Sequence, residues 1–324
     1  MKKILITGAG GFIGSHLTEF LVKNGIKVKA FIHYNSRNNW GWLETSDVKD
    51  ELDIITGDIR DFDSVYNAMK NCESVFHLAA LIGIPYSYLS PKAYIETNIN
   101  GTYNILQAAK ELNLEQVLIT STSETYGSAQ YAPIDEIHPT IGQSPYSASK
   151  IASDQLAISY YRSFELPVKI VRPFNTYGPR QSARAIIPTI ISQILSGKNE
   201  LKLGNITPTR DLTYVKDTCK GFYEIYKTDE VFGEVINIGM KNEISIGDLI
   251  NRIAFLTGKE FKLITDKQRV RTKNSEVERL ICDNTKIINS TNWRPDYNLE
   301  KGLIETITWI EKNMEIYKSS IYNI

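Results

Sequence analysis

The sequence is poor in cysteine: Cys72, Cys219 and Cys282 stand far apart, odd in number and without a C-x-x-C spacing. That pattern supports neither a disulfide framework nor a thiolate zinc site, and a reducing compartment is expected. The four histidines show no paired spacing, so a metal site has no support. Net charge is missing too, because 37 basic residues balance 37 acidic ones, and no global field draws the chain to nucleic acid or an anionic membrane. No apolar run reaches the roughly 18 residues of a membrane span. The apolar part of the opening "MKKILITGAGG" stops at its glycines, too short for a signal peptide. A soluble cytoplasmic protein is expected, with partners recognised at local sites.

What is present is the composition of an ordinary globular protein, 42% hydrophobic and 23% charged over 324 residues. Short apolar runs ("KILIT", "KVKAFI", "DIITG", "SVFHLAA", "QVLITST", "VKIVRPF") alternate with helical periodicity. Strands separated by helices imply crossover connections, and so a Rossmann-like, doubly wound parallel sheet in an α/β protein. Gly25 falls just past the first helix, and Ser90 and Pro91 read as cap and first turn of another. After about residue 174 the pattern turns irregular. We expect a dinucleotide-binding domain over 1–174, with segments returning near 211–239, and a smaller α/β substrate lobe mainly over 175–324.

"TGAGGFIGSHL" places Gly8, Gly10, Gly11 and Gly14, with Phe12 and Ile13, between the first strand and the first helix. Glycines let a pyrophosphate approach the free N–H groups at a helix start. Strand-turn-helix context makes this a dinucleotide site. An acidic residue that would bind the ribose of NAD is missing from the second strand's exit, "AFIHYNSRNNWGWLE", until Glu44. Asn35, Ser36 and Arg37 are placed to hold a 2′-phosphate instead, so NADP is preferred over NAD. Asp58 in "TGDIRD", with Ile59, and Leu78, Ala79 and Ala80 after "SVFH" are further cofactor candidates. His77, inside that apolar strand, reads as a core histidine.

"SPYSASKIASDQLA" puts Tyr146 and Lys150 four apart, on one face of a helix. A nearby ammonium favours the phenolate, so Tyr146 is expected to exchange a proton near neutral pH. Together with "TGAGGFIG", "GDIRD", "NINGTYNIL", "VRPFNTYGPRQ", "RDLTYVKD" and "DNTK", this pair resembles the extended short-chain dehydrogenase/reductase family over nearly the whole chain. The resemblance implies that Thr122 joins Tyr146 and Lys150 in a redox triad at the sugar C4 hydroxyl. It also separates two chemistries. C4 epimerases usually lack a carboxylate after the triad hydroxyl, whereas 4,6-dehydratases carry an added acid and base there. Thr122-Ser123-Glu124 is similar to the Thr-Ser-Glu of GDP-mannose 4,6-dehydratases, which implies Glu124 as the base at C5 and Ser123 as its helper.

Finer resemblance, in "FIHYNSRNNWGWLE", "AALIGIPYSYLSP" and "RPFNTYGPRQSARAIIPT", is to the LegB-type 4,6-dehydratases of bacterial legionaminic acid biosynthesis. It implies GDP-N-acetylglucosamine as substrate, with UDP-N-acetylglucosamine the close competitor. Ser87 falls where the family places a hydroxyl near the hexose, and Asn175 resembles the asparagine at the diphosphate. Arg184, Arg210, Arg271 and Arg279 lie in family-like motifs. Of these, Arg210 and Arg271 are the first expected at the diphosphate. The family also implies a homodimer through a four-helix bundle that includes Lys92–Leu112 and Tyr146–Phe164. Whether dimers pair into tetramers is left open, as is whether "NNWGWLE" is a subunit contact or a cofactor lid. Rival readings are a C4 epimerase, a related decarboxylase or a catalytically dead NAD(P)-sensing regulator; the last commonly loses the Tyr or Lys present here.

Overall fold

The computed structural model describes residues 2–270 and 273–322. Its main sheet takes β1 (Lys3–Thr7), β2 (Lys27–His33), β3 (Asp53–Gly57), β4 (Ser74–His77), β5 (Gln116–Thr120) and β6 (Val168–Pro173), with the strand Val235–Ile238 outside β6. The spatial order is Val235–Ile238, β6, β5, β4, β1, β2, β3, and every neighbouring pair is parallel. Parallel pairing demands crossovers, and the crossovers cover both faces. The strands show this directly: Ile4 and Ile6 face one core and Leu5 the other, and Leu118 opposes Val117 and Ile119 in the same way.

Helix α1 (Phe12–Lys23) and the helix Val215–Lys227 pack together on one face. Phe62–Met69, Gly101–Glu111 and Pro145–Phe164 form the other layer. Gly25 follows α1 at φ 76°, as the turn after a helix requires. Ser90 differs from expectation: it precedes Pro91, but its side chain accepts no capping hydrogen bond. The helix that starts there widens into a π-turn over Ile95–Asn100 before continuing at Gly101. Asn98 is buried within that turn. Its Oδ1 accepts from Leu81 N at 2.8 Å, while Nδ2 donates to Leu81 O and to Ser149 Oγ, each at 2.9 Å.

Beyond β6 the chain builds small sheets. Asn175–Tyr177, Glu243–Ser245 and Arg279–Leu280 gather around Thr209–Tyr214, and Glu200–Leu203 pairs with Lys262–Thr265. These sit with the helices Ile186–Leu195, Ile246–Thr257 and Leu299–Lys312. Strand order reverses between β1 and β4, so the crevice for a ligand lies outside their carboxyl ends. No helix among the described residues is long and apolar enough to cross a membrane.

Candidate active site

At the end of β1 the chain turns through Gly8, at φ 70°, to Gly11, the cap of α1. A Cβ on Gly14 would lie 2.1 Å from Gly8 O, and one on Gly8 would lie 2.9 Å from Ala79 N. Only glycine lets these backbones meet. No side chain caps α1 and its first turn carries no acid. The N–H groups of Phe12, Ile13 and Gly14 therefore stand at the positive end of the helix without competition from a side-chain cap or a neighbouring acid. Such a cradle fits a dinucleotide pyrophosphate. Leu78, Ala79 and Ala80 are half-buried beside it, with Leu78 N bonded to Thr7 O and Ala79 N to Thr7 Oγ1.

Gly10 has a different neighbour. A Cβ there would lie 2.5 Å from Trp40 O, and Trp42 N donates to Gly10 O at 3.0 Å. The "NNWGWLE" segment thus lies on the glycine turn of its own chain. Trp42 meets Trp309 of Leu299–Lys312 edge to face, with ring centroids 5.3 Å apart. Trp42→Ala is expected to lower stability by about 2 kcal/mol and to speed loss of bound dinucleotide. Denaturant unfolding and cofactor release rates check both effects.

At the exit of β2 the amide of Asn35 is spent on its own loop. Oδ1 accepts from Arg37 N and Asn39 N, and Nδ2 donates to His33 O and Asn39 O. That removes Asn35 from the residues free to bind a phosphate and leaves Ser36 and Arg37, both exposed. Asp58 is held by Arg60, whose Nε lies 3.0 Å from both carboxylate oxygens, and this pairing pulls the Asp58 carboxyl below its ordinary range. Ile59 is buried, and its carbonyl accepts from Asn104. His77 is buried with both ring nitrogens engaged, Nδ1 by Thr7 Oγ1 at 2.8 Å and Nε2 by Thr102 Oγ1 at 3.2 Å. Burial pushes it down to about 3, so it stays neutral.

The candidate catalytic residues come from two elements. Thr122 caps the 3₁₀ turn Ser123–Tyr126 by accepting from Glu124 N at 3.3 Å, and its carbonyl accepts from Thr125 Oγ1 at 2.8 Å. Gly127 ends that turn at φ 65°, packed against the Gln143 amide. Pro145–Phe164 starts with a capping box between Ser144 and Ser147, which fixes Tyr146 in its first turn. The Thr122 side chain and the Glu124 charge both act on the Tyr146 phenol. The two elements therefore bring Thr122, Glu124 and Tyr146 together. Ser123 is buried beside them.

Electrostatics at this cluster differ from the sequence-based expectation. Burial pushes the Tyr146 phenol above its ordinary range, Glu124 adds to the rise, and the Thr122 side chain opposes it. Lys150 is 4% exposed, and burial pushes it down to about 8. In the protein alone, desolvation outweighs the help that the ammonium was expected to give.

Around the cluster, Tyr94 stands edge-on to Tyr146 at 6.2 Å, and the Arg184 guanidinium lies near Gly83 and acts on Tyr94. Ser87 is buried and donates to Ile84 O at 2.7 Å. Asn175 keeps a buried Oδ1 without a protein partner among the described residues. Arg210 is buried, bonded to Thr209 O and 3.6 Å from Glu276. Arg279 is exposed and pairs with Glu243 through two 3.0 Å contacts. Both guanidiniums therefore have acidic partners within the chain. Arg271 lies outside the described residues. Sequence reading missed Asp154, Arg172 and Asn98; of these, only Asp154 was signalled, by its helical spacing from Lys150.

The chain resembles known proteins over nearly its whole length. Residues 5–306 match the family model described as GDP-mannose 4,6 dehydratase. A UDP-N-acetyl-alpha-D-glucosaminuronate decarboxylase of Bacillus cytotoxicus is 34% identical over 96% of this chain and 98% of its own. A dTDP-glucose 4,6-dehydratase of Streptomyces venezuelae, determined with NAD bound, superposes with a TM-score of 0.88 at 28% identity, covering 98% of this chain and 99% of that one. A UDP-glucuronic acid 4-epimerase of Bacillus cereus, in complex with UDP-glucuronic acid and NAD, gives 0.87 at 31% identity over 96% and 99%.

Proposed function

The chain belongs to the GDP-mannose 4,6-dehydratase family, and from that premise we propose that it is a sugar-nucleotide 4,6-dehydratase, a hydro-lyase that removes one water to give a 4-keto-6-deoxy sugar. The observation that carries this reading is Glu124. It shares one 3₁₀ turn with the Thr122 cap, and its charge reaches the Tyr146 phenol. An oxidation at C4 needs Tyr146, Lys150 and Thr122 alone; a carboxylate at the same point supplies a base for the neighbouring carbon.

The dinucleotide, held by Gly8, Gly11, Phe12, Ile13 and Gly14, supplies reversible hydride acceptance. The chain's own residues handle the protons. Tyr146, fixed by the capping box with Thr122 acting on its phenol, receives the C4 hydroxyl proton as the phenolate, for which the Lys150 ammonium one helical turn away is the charge that offsets burial. Glu124 then takes the C5 proton, made acidic by the 4-keto group. The C5–H electron pair forms the C5–C6 double bond as the C6 hydroxyl departs as water, one of the two released protons leaving with it; return of the C4 hydride to C6 and of the other proton to C5 would then complete the 4-keto-6-deoxy sugar. Ser123, next to Glu124 in the chain, is the residue proposed to assist that departure.

GDP-N-acetylglucosamine is the proposed substrate and UDP-N-acetylglucosamine the second, for a bacterial surface glycan such as legionaminic acid. The sequence resemblance supports this choice. By the sequence resemblance Asn175 is the candidate diphosphate contact on the described lobe, through its Nδ2, the amide atom able to donate to a phosphate oxygen, and Arg184 and Ser87 are candidates on the sugar side. Incubation with each sugar nucleotide followed by mass spectrometry tests the reading: loss of one water is the expected result. Unchanged mass with inverted C4 would make the protein an epimerase, the second reading, which the Bacillus cereus epimerase favours by its overall match. No turnover of either nucleotide would favour the regulator.

NADP is the proposed cofactor form, although the solved relatives above carry NAD. Between His33 and Glu44 no acid is present, and the Glu44 carboxylate accepts from Trp40 N at 2.8 Å. Arg37→Ala is expected to weaken NADP binding about ten- to a hundredfold, the size of one charged hydrogen bond, and to leave NAD within about twofold. Titration of cofactor-free protein with both forms decides it. A cytoplasmic homodimer completes the proposal. Ile95 and Tyr103 on one helical segment, and Tyr161 and Phe164 on Pro145–Phe164, are exposed apolar side chains suited to a four-helix bundle.

A further inference from the structure

Tyr146, Lys150 and Asp154 follow one another at four-residue spacing along Pro145–Phe164, so they share one helical face. All three are buried. Asp154 is divided in its use. Its Oδ2 accepts from Ser121 Oγ and from Arg172 on β6, each at 2.6 Å. Its Oδ1 is buried and has no hydrogen-bond partner among the described residues. Arg172 is fixed in turn over the Tyr126 ring, 4.5 Å from its centroid, and its Nε lies 3.3 Å from Ser121 Oγ.

Arg172 and Lys150 are both buried cations in this interior, and the Asp154 carboxylate is the anion that acts on both. An ammonium in that position needs a counter-charge or it gives up its proton. The groups around it are few. His77 on β4 is neutral and hydrogen-bonded at both nitrogens. Tyr146 lies one turn before it, with Glu124 acting on the phenol from the 3₁₀ turn. Arg172 is committed to Asp154 and Ser121. Asp154 is the carboxylate that supports the charged form of Lys150.

We propose that Asp154 is a positioning residue for the Tyr146–Lys150 pair: its second carboxylate oxygen is the counter-charge that keeps Lys150 an ammonium while the first anchors the helix to β6 through Arg172. The proposal rests on the reading of that pair as the proton-handling centre. Asp154 touches no reacting atom in this scheme. It acts through Lys150, and its effect is expected in the pH dependence of turnover.

The test follows the ionisation of Lys150 directly. Lysine labelled with ¹³C at Cε is read by NMR across pH, with Lys150→Arg assigning the signal, in the wild-type protein, Asp154→Asn and Ser121→Ala. Removing the carboxylate charge is expected to lower the Lys150 midpoint by about one pH unit or more, with the alkaline limb of turnover moving down by the same amount. Ser121→Ala disturbs the anchor but keeps the charge, so its midpoint is expected to match the wild type. Should Asp154→Asn fail to fold with Arg172 stranded, the Asp154→Asn/Arg172→Met double variant is compared with Arg172→Met alone, so that the lost Arg172 charge cancels, and its Lys150 midpoint is expected to lie below that of the single variant. An unmoved Lys150 midpoint in the folded variant lacking the Asp154 charge overturns the proposal. So does an equal shift in Ser121→Ala, which would make the cluster purely structural. Because the titration needs no substrate, it decides the role of Asp154 even if the dehydratase reading fails.

Discussion

Tyr146→Phe is expected to lower turnover of the sugar nucleotide by about a thousandfold, within the range for loss of a positioned proton-transfer group, and to leave substrate affinity within a few fold. The phenol sits in the first turn of a capped helix, buried, with the Thr122 side chain acting on it. Phenylalanine keeps the ring and its edge contact with Tyr94, so the variant removes one oxygen and little else. Lys150 makes the pH dependence of the wild-type enzyme specific. Burial holds it down to about 8, so its positive charge is present below that pH and lost above it. Turnover is therefore expected to fall as pH rises through about 8, because a buried phenolate without an ammonium nearby is penalised further. Steady-state rates across pH, with cofactor content measured on the same samples, check both statements. A Phe variant retaining a tenth of wild-type turnover would remove Tyr146 from the proton path.

The main sheet was legible because its signal is local. β1 and the glycine turn are read from "KILITGAGG", and the apolar runs of β4 and β5 have the near-continuous hydrophobicity that burial on both faces demands. Tyr146 and Lys150 were legible from helical spacing. Other features depend on contacts between distant segments. Gly10 reads as a phosphate glycine, yet its missing Cβ also makes room for the Trp40 carbonyl. Asn35 reads as a polar loop residue with a free amide, and the loop's own backbone takes all of it. Arg210 and Arg279 read as anion-binding side chains until Glu276 and Glu243 are placed opposite them. The acidity of Tyr146 was misjudged because a pairwise argument from spacing omits desolvation, the largest influence on a group this buried.

Glu124→Gln separates the two chemistries that share this scaffold. Glutamine preserves the size of the side chain and leaves the backbone N–H of residue 124 available to the Thr122 cap, so the 3₁₀ turn is expected to survive. What is lost is a base. Dehydration is expected to fall by about a hundred- to ten-thousandfold, whereas Tyr146, Lys150 and Thr122 remain to support oxidation at C4. Removal of the Glu124 charge also withdraws one of the influences that hold the phenol high, which does not oppose that first step. The variant should therefore accumulate reduced cofactor and a 4-keto sugar that retains its C6 hydroxyl. Solvent deuterium should enter C5 much more slowly than in the wild type. An epimerase predicts the contrary, because returning a hydride to C4 needs no base at C5 and the substitution would leave turnover nearly intact. Absorbance of the reduced nicotinamide during a single turnover, followed by mass spectrometry of the sugar in deuterated water, distinguishes the two. Dehydration at the wild-type rate would remove Glu124 from the elimination and with it the main argument against an epimerase.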